Sequence, residues 1–155
     1  MRSATEATAM VESDPARVLV PTLGRPREDD ALAYALETFP DAEIILLSVT
    51  TPLDASLSEG GVLERTEERT AAARAAADTL LESVADPDGA DRVRIETVEG
   101  RPGTVVPRYA SEEGIDHVVI SGSGRGSAGF FRRFLGRSIA ATVVERTAEP
   151  VTVLE

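Results

Sequence analysis

Asp116-His-Val-Val-Ile-Ser-Gly-Ser-Gly-Arg-Gly-Ser-Ala-Gly-Phe-Phe-Arg-Arg-Phe-Leu-Gly-Arg-Ser-Ile139 opens on a short apolar run, Val118 to Ile120, passes four glycines between Gly122 and Gly129, and ends in an apolar-periodic segment. Such a succession reads as strand, glycine loop, helix. Its charge runs against the rest of the molecule. No acid stands between Asp116 and Glu145, while Arg125, Arg132, Arg133 and Arg137 do; the whole chain has a formal net charge of −11. A loop of this kind at the carboxyl end of a strand presents backbone N–H groups at a helix N-terminus. Dipole and unpaired donors there favour an anion such as phosphate.

The same alternation repeats outward from this stretch. Arg17 to Pro21 is a short strand of buried type, ended by Pro21 with Gly24 and Pro26 behind it. Leu32, Ala35, Leu36 and Phe39 fall at helical spacing and predict a helix from Glu28 to about Phe39-Pro40, with Asp29 and Asp30 where the dipole favours them. Ile44 to Val49 is a continuously apolar strand, as expected when both faces are covered. A loop from Thr50 to Gly61 precedes a long helix whose stripe is Leu63, Thr70, Ala73, Ala77, Leu80, Leu81 and Val84, stopped by Asp86-Pro-Asp-Gly89. Arg92 to Val98 alternates like an edge strand. The next helix is expected to begin near Thr104, leaving Pro107 in its first turn, and to reach Gly114. Beyond the opening stretch, Phe131 to Thr147 forms the fourth helix and Pro150 to Leu154 the fifth strand.

Strands alternating with helices through short connections predict an α/β fold: one doubly wound open sheet of five mostly parallel strands. If strands 1 to 3 wind one way and strands 4 and 5 the other, the order is 3-2-1-4-5, and the loops Thr22 to Arg27 and Gly122 to Phe131 flank the reversal, where ligands bind in such sheets. Residues 1–15, rich in Ala, Ser and Thr, read as a flexible arm, and 16–155 as one domain.

Composition excludes several chemistries. Without cysteine there is no disulfide framework and no thiolate zinc site. Without lysine there is no GxxxxGK[ST] phosphate loop. Ser123 lacks the flanking glycines of a nucleophile elbow, and His117, the single histidine, reads as structural or solvent-facing rather than catalytic. No apolar run approaches the roughly 20 residues of a membrane span, and the N-terminus does not resemble a signal peptide, so a cytoplasmic location is expected. The acidic balance argues against nucleic acid and anionic membranes as partners. A surface with 27 acids and no lysine suits a cytoplasm of molar salt; a high-GC genome with an acidic bias gives the same composition. Gly124 to Gly129 matches GxGxxG, yet follows the fourth strand rather than the first, which argues against a dinucleotide fingerprint.

Taken together, Val18-Leu-Val-Pro21, Asp41 to Val49, Glu99-Gly-Arg-Pro102, Gly114 to Ile120 and Glu149-Pro-Val-Thr-Val153 resemble the universal stress proteins of the UspA type over nearly the whole chain. The nucleotide-binding branch of that family carries G-x-x-G, nine residues, then G-[ST], and Gly126 and Gly136 keep that nine-residue separation. The resemblance implies a homodimer paired through strand 5 (Val151, Val153), an adenine nucleotide such as ATP or AMP, Mg accompanying ATP, and a regulatory protein or transporter as partner. It implies a site in which Pro21, Thr22, Leu23 and Val49 flank adenine and ribose. The phosphates would lie along Gly122, Gly124, Arg125, Gly126, Ser127, Gly136, Arg137 and Ser138. The nucleotide would be a regulatory ligand rather than a substrate. Three positions depart from the pattern: Leu23 stands where the family usually has Asp, Ser123 at the first motif glycine, and Arg137 at the final Ser/Thr. Leu23 and Arg137 favour the alternative, a dimeric interaction module that holds no nucleotide.

Overall fold

Val18, Leu19 and Val20 are buried together, as are Ile44 to Leu47 and Val118 to Ile120, because the sheet they build is covered on both faces. The computed structural model describes residues 15–25, 27–51, 59–122 and 139–154, of which 59–66 by their backbone. Its strands are β1 (Arg17–Thr22), β2 (Glu43–Thr50), β3 (Val93–Glu99), β4 (His117–Ser121) and β5 (Val151–Leu154). All are parallel and stand in the order β3-β2-β1-β4-β5. The doubly wound α/β sheet and its order are therefore as expected.

Five helices accompany them among the described residues: α1 (Glu28–Thr38), α2 (Glu59–Val84), α3 (Pro87–Ala90), α4 (Pro102–Glu112) and α5 (Ile139–Arg146). Strand alternation divides the core into two layers. Val18, Val20, Ile44, Leu46 and Val119 face Ala31, Leu32 and Ala35 of α1 and Ala77 of α2. Leu19, Ile45, Leu47, Val118 and Ile120 face Val105, Val106 and Ala110 of α4 and Ala140 and Val143 of α5.

Three boundaries differ from the expectations. Gly60 and Gly61 lie inside α2 rather than in the loop before it; two glycines weaken a helix by about 1 kcal/mol each, which the remainder of a 26-residue helix can absorb. The stop signal after Val84 is itself a helical turn, because the Asp86 side chain accepts from Gly89 N at 2.7 Å and Pro87 occupies the first position. Helix α4 begins at Pro102 rather than near Thr104, so Pro107 lies within the helix and not in its first turn. The first-turn preference belongs to Pro102. Pro107 cannot donate to Gly103 O, and that carbonyl accepts instead from Arg146 Nη1 of α5 at 3.4 Å. Of the expected fourth helix, 131–138 lie outside the described residues; its remainder is α5.

Candidate functional site

The winding direction reverses between β1 and β4, and the two strands part there. Strand β1 pairs with β2 along all six residues, from Arg17 opposite Glu43 to Thr22 opposite Ser48. With β4 it pairs only through Val18 opposite His117 and Leu19 opposite Val118. Val118 N and Gly122 N donate to β5, at Pro150 O and Leu154 O, so the alternate residues Val119 and Ser121 direct their backbone groups at β1. The Ser121 carbonyl thus points into the opening, where it accepts from Arg25 Nη2 at 2.6 Å. A side chain bridges the sheet where its ladder ends.

That side chain is placed by the loop between β1 and α1. Gly24 (φ +81°) and Arg27 (φ +71°) both adopt left-handed backbone conformations, which turn the chain sharply into the helix. Glu28, the first residue of α1, folds back beneath the loop: its carboxylate accepts from Leu23 N at 2.6 Å and Gly24 N at 3.2 Å. The arrangement is a pair of successive backbone donors in the loop, filled by the protein's own anion. Burial pushes the Glu28 carboxyl above its ordinary range, while the amides of Leu23, Arg25 and Gly24 and the Arg25 charge pull the other way. Arg25 is held below its ordinary range by burial, against the attraction of Glu28.

Thr22, Ser48 and Ser121 all lie on the α1/α2 side, since they continue the alternation of Val20, Leu46 and Val119. Their relative exposures are 7, 3 and 1 %, so these are interior hydroxyls. Ser48 Oγ donates to Ala73 O of α2 at 3.2 Å. Beside them opens a cleft of about 390 Å³, walled by the β1–α1 loop, Thr22, Ser48, Val49, and the small residues Ala73, Ala76 and Ala77 with Leu80 of α2. That volume is within the about 300–1,000 Å³ common for small-molecule sites, which combine apolar walls with a few convergent polar groups.

Of the residues expected at a site, Thr22, Leu23 and Val49 line this cleft, and Pro21 is buried in β1 without lining it. Gly122 is buried at the end of β4. Gly124, Arg125, Gly126, Ser127, Gly136, Arg137 and Ser138 lie outside the described residues. Arg25, Glu28 and Ser48 line the cleft without having been singled out in the sequence, as Ser121 was not either. Glu28 read only as one of three acids at a helix start, and the signal for the others was their strand-end position.

A model of the universal stress protein family matches residues 16–155. The chain belongs to the universal stress protein family. Among solved structures, the UspA universal stress protein from Lactobacillus plantarum superimposes with a TM-score of 0.71 at 21% identity, over 93% of this chain and 100% of that one. A universal stress protein in complex with cAMP gives 0.65 at 20% identity, over 92% and 99%. One from Archaeoglobus fulgidus in complex with dAMP gives 0.52 at 16% identity, over 92% and 98%. No curated protein matches the sequence significantly. In this universal stress protein position 23 is Leu, and the carboxylate that binds the first loop's backbone comes from Glu28.

Proposed function

We propose that this universal stress protein is a stress-response regulator that binds an adenine nucleotide, ATP or AMP, as a ligand and not as a substrate to be turned over. The nucleoside would occupy the cleft beside Thr22, Leu23 and Val49, with phosphates toward the segment 122–138 and Mg accompanying ATP. The observation that carries this reading is the cleft itself, at the carboxyl ends of β1 and β2 and next to the reversal of winding. Structural relatives that hold cAMP and dAMP give it support. The test is to purify the chain in high salt without nucleotide, denature it, and separate the supernatant by anion exchange. Stoichiometric ATP, ADP or AMP is the expected result. An empty supernatant, with no heat on titration of Mg-ATP or AMP, would defeat the reading.

A second reading, a cytoplasmic interaction module without a nucleotide, is favoured by Glu28, which already fills the donors of the first loop. Both readings share a homodimer through β5, a four-residue strand that among the described residues pairs with β4 alone, and a regulatory protein or transporter as further partner. Val151→Asp or Val153→Asp should give a folded monomer by sedimentation; an unaltered dimer would reject that edge.

A further inference from the structure

The crevice between β1 and β4 holds two interior hydrogen-bonding groups that no described residue satisfies. Among the described residues Arg25 Nε is buried without a partner, and so is Ser121 Oγ. They belong to side chains already tied to one place, because Arg25 Nη2 is bonded to the carbonyl of Ser121 itself. Buried polar atoms are nearly always paired, and leaving one unpaired costs about 1–3 kcal/mol, more where the group is charged. Two such atoms, on a side chain 1% exposed and on the half-buried guanidinium bonded to that residue's carbonyl, mark a place suited to a further partner.

The chemistry of that missing partner follows from the groups present. A guanidinium Nε–H only donates, and a serine hydroxyl can donate as well, so a single acceptor satisfies both. The nearest anion of the chain, Glu28, is committed to the backbone donors of Leu23 and Gly24. It therefore offsets the guanidinium charge from a distance without reaching Nε. A planar fork of this kind binds phosphate through paired N–H groups.

We propose that Arg25 and Ser121 form an anion receptor between β1 and β4 that takes a phosphate oxygen of the bound ligand, separate from the glycine-containing segment that follows β4. The inference rests on the reading that the adjacent cleft holds a nucleotide, and it adds that this cleft discriminates a nucleoside phosphate from the bare nucleoside through Arg25. Glu28 has a positioning role: by filling those backbone donors it keeps the anion off the first loop and leaves the guanidinium as the acceptor of charge. Arg25 thus supplies phosphate recognition at an end of the cleft where Leu23 can supply none.

The test compares AMP and adenosine by titration calorimetry at fixed ionic strength in the full-length wild type, Arg25→Met and Ser121→Ala. The wild type should prefer AMP by about tenfold or more, the size of one charge-assisted hydrogen bond. Both substitutions should shrink that ratio several-fold, Arg25→Met the more. A ratio unchanged in both variants, even with a lowered unfolding midpoint, would make Arg25 a strap for the Ser121 carbonyl only and overturn the inference. Should Arg25→Met fail to fold, Ser121→Ala decides, since it keeps both the carbonyl and the guanidinium. If the wild type binds neither ligand, the nucleotide reading falls, and inorganic phosphate then serves as the probe. Phosphate that raises the unfolding midpoint of the wild type more than that of Ser121→Ala would sustain the receptor as a site for free anion; equal shifts would end it.

Discussion

His117 shows how one residue can be placed by its neighbours rather than by any chemistry of its own. It starts β4, sets Nε2 2.8 Å from Thr152 Oγ1 of β5, and packs its ring 5.0 Å from that of Phe39. Burial lowers its pKa below the ordinary value, so the folded chain prefers the neutral ring. The sign follows: in the unfolded chain the ring takes up a proton near pH 6.5, and in the folded chain only at lower pH. Stability from this residue is complete above about pH 6.5 and is lost as pH falls through that value toward the folded pKa. Urea midpoints measured from about pH 8 to 5 should therefore decline more steeply in the wild type than in His117→Gln, which keeps a partner for Thr152 but does not titrate. Parallel profiles would show that the ring protonates as freely in the fold as out of it. The same scale explains why Glu28 and Arg25 were not legible as site residues. An acid at a helix start usually answers the dipole, and only the left-handed backbone at Gly24 and Arg27 turns this one inward onto the preceding loop.

At the scale of elements, the contact between α4 and α5 depends on a glycine whose role has two opposing parts. Within a helix, replacing Gly by Ala ordinarily stabilises by about 0.5–1 kcal/mol. At Gly103 the added Cβ would lie 2.7 Å from Thr142 Cγ2 of α5, and a β-branched side chain cannot easily rotate away. Overpacking of that kind costs about 1–3 kcal/mol, so the clash outweighs the propensity. Gly103→Ala should lower stability in urea denaturation, and Thr142→Ser, which removes the methyl and keeps the hydroxyl, should recover most of the loss in the double variant. Additive effects would mean that the two helices do not meet through these atoms. This neighbourhood also marks how far a sequence reading reaches. The elements themselves were legible because continuously apolar strands and 3.6-residue stripes differ in period. The start of α4 was not, because Pro102 and Pro107 both suit a first turn, and the Gly103 carbonyl that Pro107 leaves without a helical donor is met from Arg146, far along the chain. Likewise the order of the strands followed from rules of connection, whereas the short β1–β4 ladder, and the crevice it opens, depends on how far two strands stay paired.

For the molecule as a whole the dominant quantity is charge: 27 acids against 16 arginines. Ion pairs with arginine engage Glu43, Glu96, Glu99 and Asp30 among the described residues. On α2 the acids Glu67, Glu68, Asp78 and Glu82 stand exposed, and Asp78 and Glu82 are one helical turn apart, where like charges oppose helix formation. Exposed pairs contribute little, about 0–1 kcal/mol each, so they do not offset a surface excess of this size. What remains is long-range self-repulsion, which salt removes as the screening length falls from about 10 Å at 0.1 M to about 3 Å at 1 M. The thermal midpoint should accordingly rise by several degrees between about 0.1 and 2 M KCl. Glu82→Arg, which turns a repulsive i,i+4 pair into an attractive one, should raise the midpoint at low salt and lose most of that advantage at high salt. A midpoint that is flat or falling with salt would show that the folded surface distributes its charge without strain, and that the acidic composition reflects the bias of a genome rather than the demands of a saline cytoplasm.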